Sequence, residues 1–338
     1  MGAIKEGAEL FFVSVLPSLF PFLVISNIFF MLDYTKYLSK IFNPFMSKYF
    51  KVSGSGAYPL ITSIISGYPI GSKTVSEMYL NGDLSYKDAN KLIAICSTPG
   101  PIFVIGTVAT SFFNIPIMGA IILLSIYSSL FIYASVFFKQ EANTYNHHQH
   151  YSYKKHHNIG KVLSKSIKNS METLINVLGY IMFFSLIINI FDSMILTNLS
   201  MLPFKSSLFL SNFIKGLLEM TIGIKGISEL SYIPIPIIIA SITFILSFGG
   251  LCANMQCISF ISNTDLNIKG YLFAKIKLGI ISGGLAYILS SFFLRGVTST
   301  INIGINMPFT FNLTSSLLFT VIYTFIIFTT AALIKKEI

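Results

Sequence analysis

The sequence predicts an all-α, polytopic membrane protein of about eight spans and two shorter re-entrant segments, arranged as two related halves. Hydrophobic residues make up 53% of its 338 residues and charged residues only 11%, whereas about 25% of an average soluble domain is charged. Four long stretches carry no charge: residues 10–32, 92–138, 230–264 and 296–334. A helical span needs about 20 apolar residues, and none of these stretches alternates like a barrel strand. The first stretch therefore predicts one span, and the second is long enough for two.

The chain divides into a first membrane half (residues 1–138), a basic linker (139–168) and a second membrane half (169–338). The linker holds six lysines against one acid, Glu141, so the positive-inside rule places it in the cytoplasm. It also contains all five histidines, which are His147, His148, His150, His156 and His157. A solvated linker and a metal-binding or pH-sensing tract are both compatible with this composition.

The two halves share short motifs. When Gly67 is placed on Gly249 without a gap, Asn81, Asp83, Leu84 and Lys87 fall on Asn263, Asp265, Leu266 and Lys269. These matches indicate an internal duplication, with chance similarity in a biased composition as the alternative. Duplicated secondary transporters bind their substrates between the repeats, at broken helices near the midplane of the membrane.

Each half contains segments with the composition of a broken helix. Residues 54–73 hold four glycines and two prolines, too many for a simple lipid-facing helix. Residues 97–101 and 247–251 interrupt long apolar runs in the same way. We therefore expect re-entrant elements near residues 57–72 and 248–262, buried in protein. The interruptions are either packing kinks or places where helix ends present free amide groups to a solute.

Composition and motifs also limit the function. The cysteines (Cys96, Cys252 and Cys257) lie in apolar stretches at spacings that fit no zinc or redox motif. The net charge of +10 is not attached to a soluble basic domain that would bind nucleic acid. No Ser-His pair, paired carboxylates or His-Glu-x-x-His motif is apparent. We expect neither an enzyme nor a cofactor or metal site.

Four motifs together resemble one known family. They are Pro-Ser-Leu-Phe-Pro-Phe at 17–22, Ser-Gly-Tyr-Pro-Ile-Gly-Ser-Lys at 66–73, Gly-Leu-Leu-Glu-Met-Thr-Ile-Gly at 216–223 and Ser-Phe-Gly-Gly-Leu at 247–251. They resemble the sporulation integral membrane protein YlbJ (SpoVV) family, whose members carry a nucleoside-recognition Gate domain. The resemblance implies a role in endospore formation. It also implies transport of dipicolinic acid from the mother cell across the outer forespore membrane.

The candidate substrate-binding residues lie in and around the interruptions. Lys73 can supply a cation for an anionic solute, and Tyr68 can stack on an aromatic ring. Serine and threonine hydroxyls can donate hydrogen bonds. Alternatively, Lys73 is a snorkelling residue and Tyr68 an interfacial aromatic. The full set is Ser66, Gly67, Tyr68, Gly71, Lys73, Ser97, Thr98, Gly249, Gly250, Asn254 and Gln256.

Glu219 is the candidate coupling residue. An acid at membrane depth costs about 2.5–3.5 kcal/mol on insertion scales, so it usually has a partner or a role. Proton coupling is one interpretation, and a loop-edge carboxylate near Lys215 or Lys225 is the other.

The leading interpretation is a transporter of a small anionic solute, dipicolinate by resemblance, embedded in the lipid bilayer of a bacterial cell membrane. A nucleoside or other metabolite carrier and a non-transporting sporulation scaffold are the alternatives. The polar interruptions favour transport, because a scaffold needs no internal polar path.

Overall fold

The computed structural model describes residues 2–32, 35–139, 159–198 and 204–294, and within these ranges every regular element is helical. The α-helices are α1 (Gly2–Leu10), α2 (Leu16–Met31), α3 (Thr35–Phe45), α4 (Ala57–Ser66), α5 (Ile70–Leu80), α6 (Tyr86–Ile95), α7 (Pro116–Phe137), α8 (Ile159–Asn198), α9 (Phe204–Leu218), α10 (Met220–Ser228), α11 (Ile235–Phe248), α12 (Gly250–Ile261) and α13 (Ile268–Phe293). Three π-helical stretches occur, at Phe11–Val15, Met46–Phe50 and Phe103–Phe112, and a 3-10 turn at Gly54–Gly56. The Phe103–Phe112 stretch is called the π segment below.

The predicted polytopic helical fold is confirmed. Within the described ranges, four helical stretches are long and apolar enough to cross a membrane: Pro116–Phe137, Ile159–Asp192, Ile235–Ile261 and Ile268–Phe293. Leu19–Met31 and the π segment are shorter apolar helices. The charge-free stretch at 296–334 and the histidines of the linker lie outside the described residues. Since α8 begins at Ile159, the last part of the predicted linker is the exposed, basic start of a helix.

α4 and α5 form a re-entrant hairpin, the first hairpin. They run antiparallel on either side of residues 67–69, because a Cβ at Gly71 would lie 2.6 Å from Cβ of Ser63. The outer ends of both arms lie on one side of the protein. The backbone N–H of Ser53, just before α4, donates to Oδ2 of Asp88 at 3.0 Å, and Asp88 is in the first turn of α6, which follows α5 after a short turn. The re-entrant element predicted near 57–72 is therefore present.

One face of the protein collects basic residues, and we call it the basic face. Nζ of Lys91 donates to the backbone oxygens of Lys51 at 2.9 Å and Lys139 at 3.2 Å. The turn before α13 joins the same face, where the N–H of Asn267 donates to Oδ1 of Asn90 at 2.8 Å. With a rise of 1.5 Å per residue, α5 and α12 are each about 16–18 Å long. Their inner ends therefore lie about halfway through a core of about 30 Å.

α9 and α10 form a second hairpin, whose tip is Glu219. Gly223 of α10 is in backbone contact with Gly216 of α9, and Gly226 packs against Asn212, so the arms run antiparallel. A short connection leads from α10 to α11, which starts on the face opposite the basic face. The two hairpins therefore enter from opposite sides.

The second re-entrant element predicted near 248–262 is instead part of a crossing helix. Gly279 of α13 packs on Phe244, and Gly283 packs on the carbonyl of Ala240, so α11 runs antiparallel to α13. α11 thus descends towards the middle of the membrane, and α12 continues to the basic face. The single residue Gly249 interrupts this span. The alignment of Gly67 with Gly249 therefore pairs a hairpin tip with an interrupted span, which are different kinds of element.

Candidate functional site

Four interruptions of the helices meet in the middle of the protein. In chain order they are the first break (residues 67–69), the second break (96–100), the third break (Glu219) and the fourth break (Gly249).

Each hairpin tip packs on the interrupted helix that follows it in sequence. A Cβ at Gly67 would lie 2.6 Å from the backbone nitrogen of Gly100, and a Cβ at Gly250 would lie 3.1 Å from the carbonyl oxygen of Gly216. The two halves also touch. The hydroxyl of Tyr68 contacts Sδ of Met220, and the Tyr68 ring lies 3.8 Å from the position of a Cβ at Gly249.

A cavity lies between these breaks, and we call it the central cavity. Its volume is about 50 Å³, which is large enough to hold water, since a single water needs about 10–15 Å³. Val15, Leu19, Phe22, Val177 and Ile181 close one side with apolar surface. The breaks contribute the opposite wall, with Ser66, Gly67, Tyr68, Pro99, Gly100, Glu219, Met220, Thr221, Cys252, Ala253 and Gln256.

Helix N-termini point towards this cavity from several directions. α5, α10 and the π segment begin at or just after breaks whose residues line it, whereas the fourth break, where α12 begins, contributes no lining residue. The first N–H groups of a helix have no partner within the helix, and the helix dipole adds a partial positive charge there. The starts of α5 and the π segment therefore bring partial positive charge near the cavity, while the start of α10 is already capped by Glu219.

Glu219 is the only Asp, Glu, Lys or Arg that lines the central cavity in the described part of the chain. Its side chain is buried, with 2% exposure. Oε2 accepts the backbone N–H of Ile222 at 2.8 Å and so caps the start of α10. The alternative of a loop-edge carboxylate is not what the structure shows, because Glu219 forms the buried tip of the second hairpin.

The candidate residues of the first half separate into two groups. Ser66, Gly67 and Tyr68 line the cavity. Ser97 and Thr98 lie behind it and tie the second break to the first hairpin. The Ser97 and Ser72 hydroxyls are 2.8 Å apart, and those of Thr98 and Ser63 are 3.2 Å apart. Gly71 likewise belongs to this packing, against the carbonyl of Cys96.

In the second half, only Gln256 among the candidate binding residues lines the cavity. Gly249 and Gly250 adopt φ of 90° and 65°, which L side chains rarely tolerate, and they form the fourth break. Asn254 seals this break, because its Nδ2 donates to the carbonyls of Phe248 at 2.9 Å and Gly250 at 2.7 Å. Tyr271 holds the Asn254 amide by donating to Oδ1 at 2.8 Å.

Lys73 lies outside the central cavity. Its Nζ donates to Oγ1 of Thr173 at 2.8 Å and is 3.9 Å from Oε1 of Glu77. It lines a smaller cavity of about 10 Å³ between α2, α4 and α5. The cation that the sequence assigned to the anion is therefore paired elsewhere.

Two kinds of site residue are absent from the sequence-based set. One is the apolar wall from α2 and α8, whose periodic apolar residues look like any lipid-facing stripe. The other is Lys275, which is 2% exposed and donates to the carbonyl of Ser97 at 2.5 Å. The sequence does contain a signal for Lys275. Asn267 is the N-cap of α13, so Lys275 lies two turns inside an apolar helix.

Comparison with known proteins bears out the resemblance that the motifs indicate. Residues 12–138 match the family model described as Gate, nucleoside recognition. The chain is 25% identical over 309 residues to the sporulation integral membrane protein YlbJ of Bacillus subtilis (strain 168), an alignment that covers 82% of this chain and 74% of the relative. No solved structure matches. The protein is thus a helical membrane protein with a Gate match in its first half and overall similarity to a sporulation membrane protein.

Proposed function

We propose that this protein transports a small anionic solute, dipicolinic acid, across the outer forespore membrane during sporulation. The observation that carries the proposal is the meeting of four helix breaks, three of which line one central cavity, between two oppositely inserted hairpins. Backbone that leaves helical geometry at membrane depth has to line protein or a water-filled path. The name of the B. subtilis relative supports the sporulation context.

The arrangement of the hairpins supports transport by an inverted duplication. Each half has a hairpin followed by an interrupted helix, and the tip residues Tyr68 and Met220 are 152 residues apart. Two such units of opposite orientation form a site at their interface that can open to either side. We propose that residues 1–138 and 169–338 are these two units, with the linker between them.

The apolar wall of the cavity belongs to a smaller hydrophobic cluster. Val177 and Ile181 of α8 share this cluster with Ile70 of α5 and Cys252 of α12, apart from the main core that contains Tyr68 and Ala253. We propose that the cavity widens to admit the solute by movement of the apolar wall that α2 and α8 contribute.

The chemistry of the site suits a planar dianion. The helix N-termini supply N–H donors for the carboxylates, and the Tyr68 ring can stack on the pyridine. A negative Glu219 would repel the dianion, so binding favours the protonated form of this side chain. Uptake of a proton with the solute follows directly from this arrangement.

Uptake into vesicles tests the proposal. The purified full chain is reconstituted into liposomes, and labelled dipicolinate uptake is measured with an excess of unlabelled dipicolinate or uridine. We expect saturable uptake that dipicolinate abolishes and uridine leaves intact. Uptake no faster than in empty liposomes would refute dipicolinate transport.

A nucleoside carrier is the second candidate, because the Gate family is described by nucleoside recognition. Gln256 and Glu219 at the cavity offer an amide and a carboxylate, groups that can hydrogen-bond to a base or a ribose. Saturable uridine uptake that dipicolinate does not inhibit would favour this function. The absence of uptake of both solutes would favour the scaffold.

A further inference from the structure

Lys275 is a buried lysine within a helix long and apolar enough to cross a membrane. It lies in α13 between the buried residues Ala274 and Leu278, and 2% of it is exposed. No carboxylate in the described part of the chain forms an ion pair with it. A lysine at membrane depth without an acidic partner is costly and usually marks a function.

The ammonium group binds the second break at Ser97, a residue that does not line the central cavity. Nζ of Lys275 donates to the carbonyl oxygen of Ser97 at 2.5 Å, just beyond the C-terminal end of α6. The last carbonyls of a helix have no partner within the helix, and a cation is favourable at this negative end of the dipole. Lys275 thus meets an electrostatic need that the break creates.

The remaining polar side chains at this break are already satisfied by protein. The Ser97 hydroxyl pairs with that of Ser72, and the Thr98 hydroxyl donates to the carbonyl of Ser63 at 3.1 Å. Lys275 therefore completes a closed polar shell formed by the first hairpin, the second break and α13. Unwound carbonyls of this kind coordinate Na⁺ in many secondary transporters.

We propose that Lys275 is a resident cation that occupies the place of a coupling metal ion at the second break, so that the protein works without Na⁺. This inference rests on the proposed transport function for its physiological meaning. The structural part of this inference, that an ammonium group fills a cation position, does not depend on the identity of the solute.

Thermal melting tests the cation position without any solute. The purified full chain is melted in NaCl and in choline chloride of equal ionic strength. We expect the wild type to show the same melting temperature in both salts. Lys275→Ala empties the position, and we expect Na⁺ to raise its melting temperature by about 2–4 °C over choline.

A matched control and a second variant complete the test. Lys277→Ala removes a lysine from the same helix, one whose Nζ lies 4.1 Å from the Phe137 ring centroid, and should stay indifferent to Na⁺. Lys275→Met keeps the length of the side chain but removes its charge, and it takes the place of the alanine variant in the same test if that variant does not fold. A Na⁺-specific shift in the wild type overturns the proposal, and so does a Lys275 variant as indifferent to Na⁺ as the wild type. Failure of dipicolinate uptake would refute the transport proposal and leave this result standing.

Discussion

The two hairpins occupy equivalent places but present different chemistry to the cavity. The first hairpin has a tip of three residues, Gly67 to Pro69, without a charge. The second turns at the single residue Glu219, whose carboxylate caps the helix that follows. Both tips pack on the interrupted helix of their own half, and they touch each other through Tyr68 and Met220.

Under the proposed transport function, this difference would assign a separate task to each tip. The first tip can only offer backbone amides and a ring, which suits recognition of a solute. The second tip carries a group that can change its charge, which suits coupling to protons. An anion site with a carboxylate in its wall makes sense when that carboxylate is protonated in the loaded state.

The largest effect is expected at the first tip. Gly67 has φ of 82°, and a Cβ would lie 2.6 Å from the nitrogen of Gly100. Gly67→Ala should cost about 1–3 kcal/mol in backbone strain, or roughly a 5–150-fold loss of uptake per molecule. Gly106→Ala is the control, because a Cβ there meets nothing within 4 Å. Equal uptake by both variants, at equal membrane levels, would show that the tip geometry is not required.

Glu219, the tip of the second hairpin, should control how the solute affinity depends on pH. In the wild type, solute affinity should fall as pH rises, by up to about tenfold per pH unit for one coupled proton. Glu219→Gln keeps a cap but cannot ionise, so its affinity should stay high and flat with pH. Glu229→Gln alters an exposed acid at the end of α10 and should retain the wild-type profile. If the profile of the Glu219→Gln variant still slopes like that of the wild type, the coupling belongs to another group.

Loss of the contact between Tyr68 and Met220 should have a moderate effect on solute uptake. Tyr68→Phe removes the hydroxyl that reaches Met220 and keeps the ring. Because an uncharged hydrogen bond contributes about 0.5–1.5 kcal/mol, the solute concentration for half-maximal uptake should rise about 2–10-fold. Tyr86→Phe, at an exposed tyrosine, is the control. If Tyr68→Leu has no larger effect than Tyr68→Phe, the ring does not contact the solute.

The smallest effect is expected at Lys73. The sequence offers this lysine as a cation for an anionic solute, with a snorkelling residue as the alternative. In the structure it pairs with Glu77 and Thr173 outside the central cavity. A partly exposed pair contributes about 0–1 kcal/mol, so Lys73→Ala should reduce uptake by less than about fivefold. Lys87→Ala, on an exposed stretch of α6, is the control. If Lys73→Ala folds but loses far more uptake than Lys87→Ala, Lys73 does contact the anion.

The positions of the breaks were predictable from sequence, whereas their shapes were not. Glycine and proline clustered at 67–71, 99–101 and 249–250 disfavour a continuous helix, whereas single prolines such as Pro21 and Pro44 are accommodated inside helices. The same composition can end a hairpin arm or interrupt a span. The second hairpin has no comparable signal, because its tip is one acidic residue, and its arms close through the contact of Gly216 with Gly223.

The sequence by itself determined the membrane class, the helical fold and the three breaks that contain glycine or proline, because charge-free length and Gly/Pro content act locally along the chain. Only the tertiary structure decided which breaks meet, from which side each hairpin enters, and which lysine is buried. Those outcomes depend on how helices far apart in sequence pack. Lys73 and Lys275 show this most directly. Lys73 follows a break in sequence, but its contact with Thr173 of α8 keeps it out of the cavity wall. Lys275 is far from every break in sequence, but packing against the second break buries it.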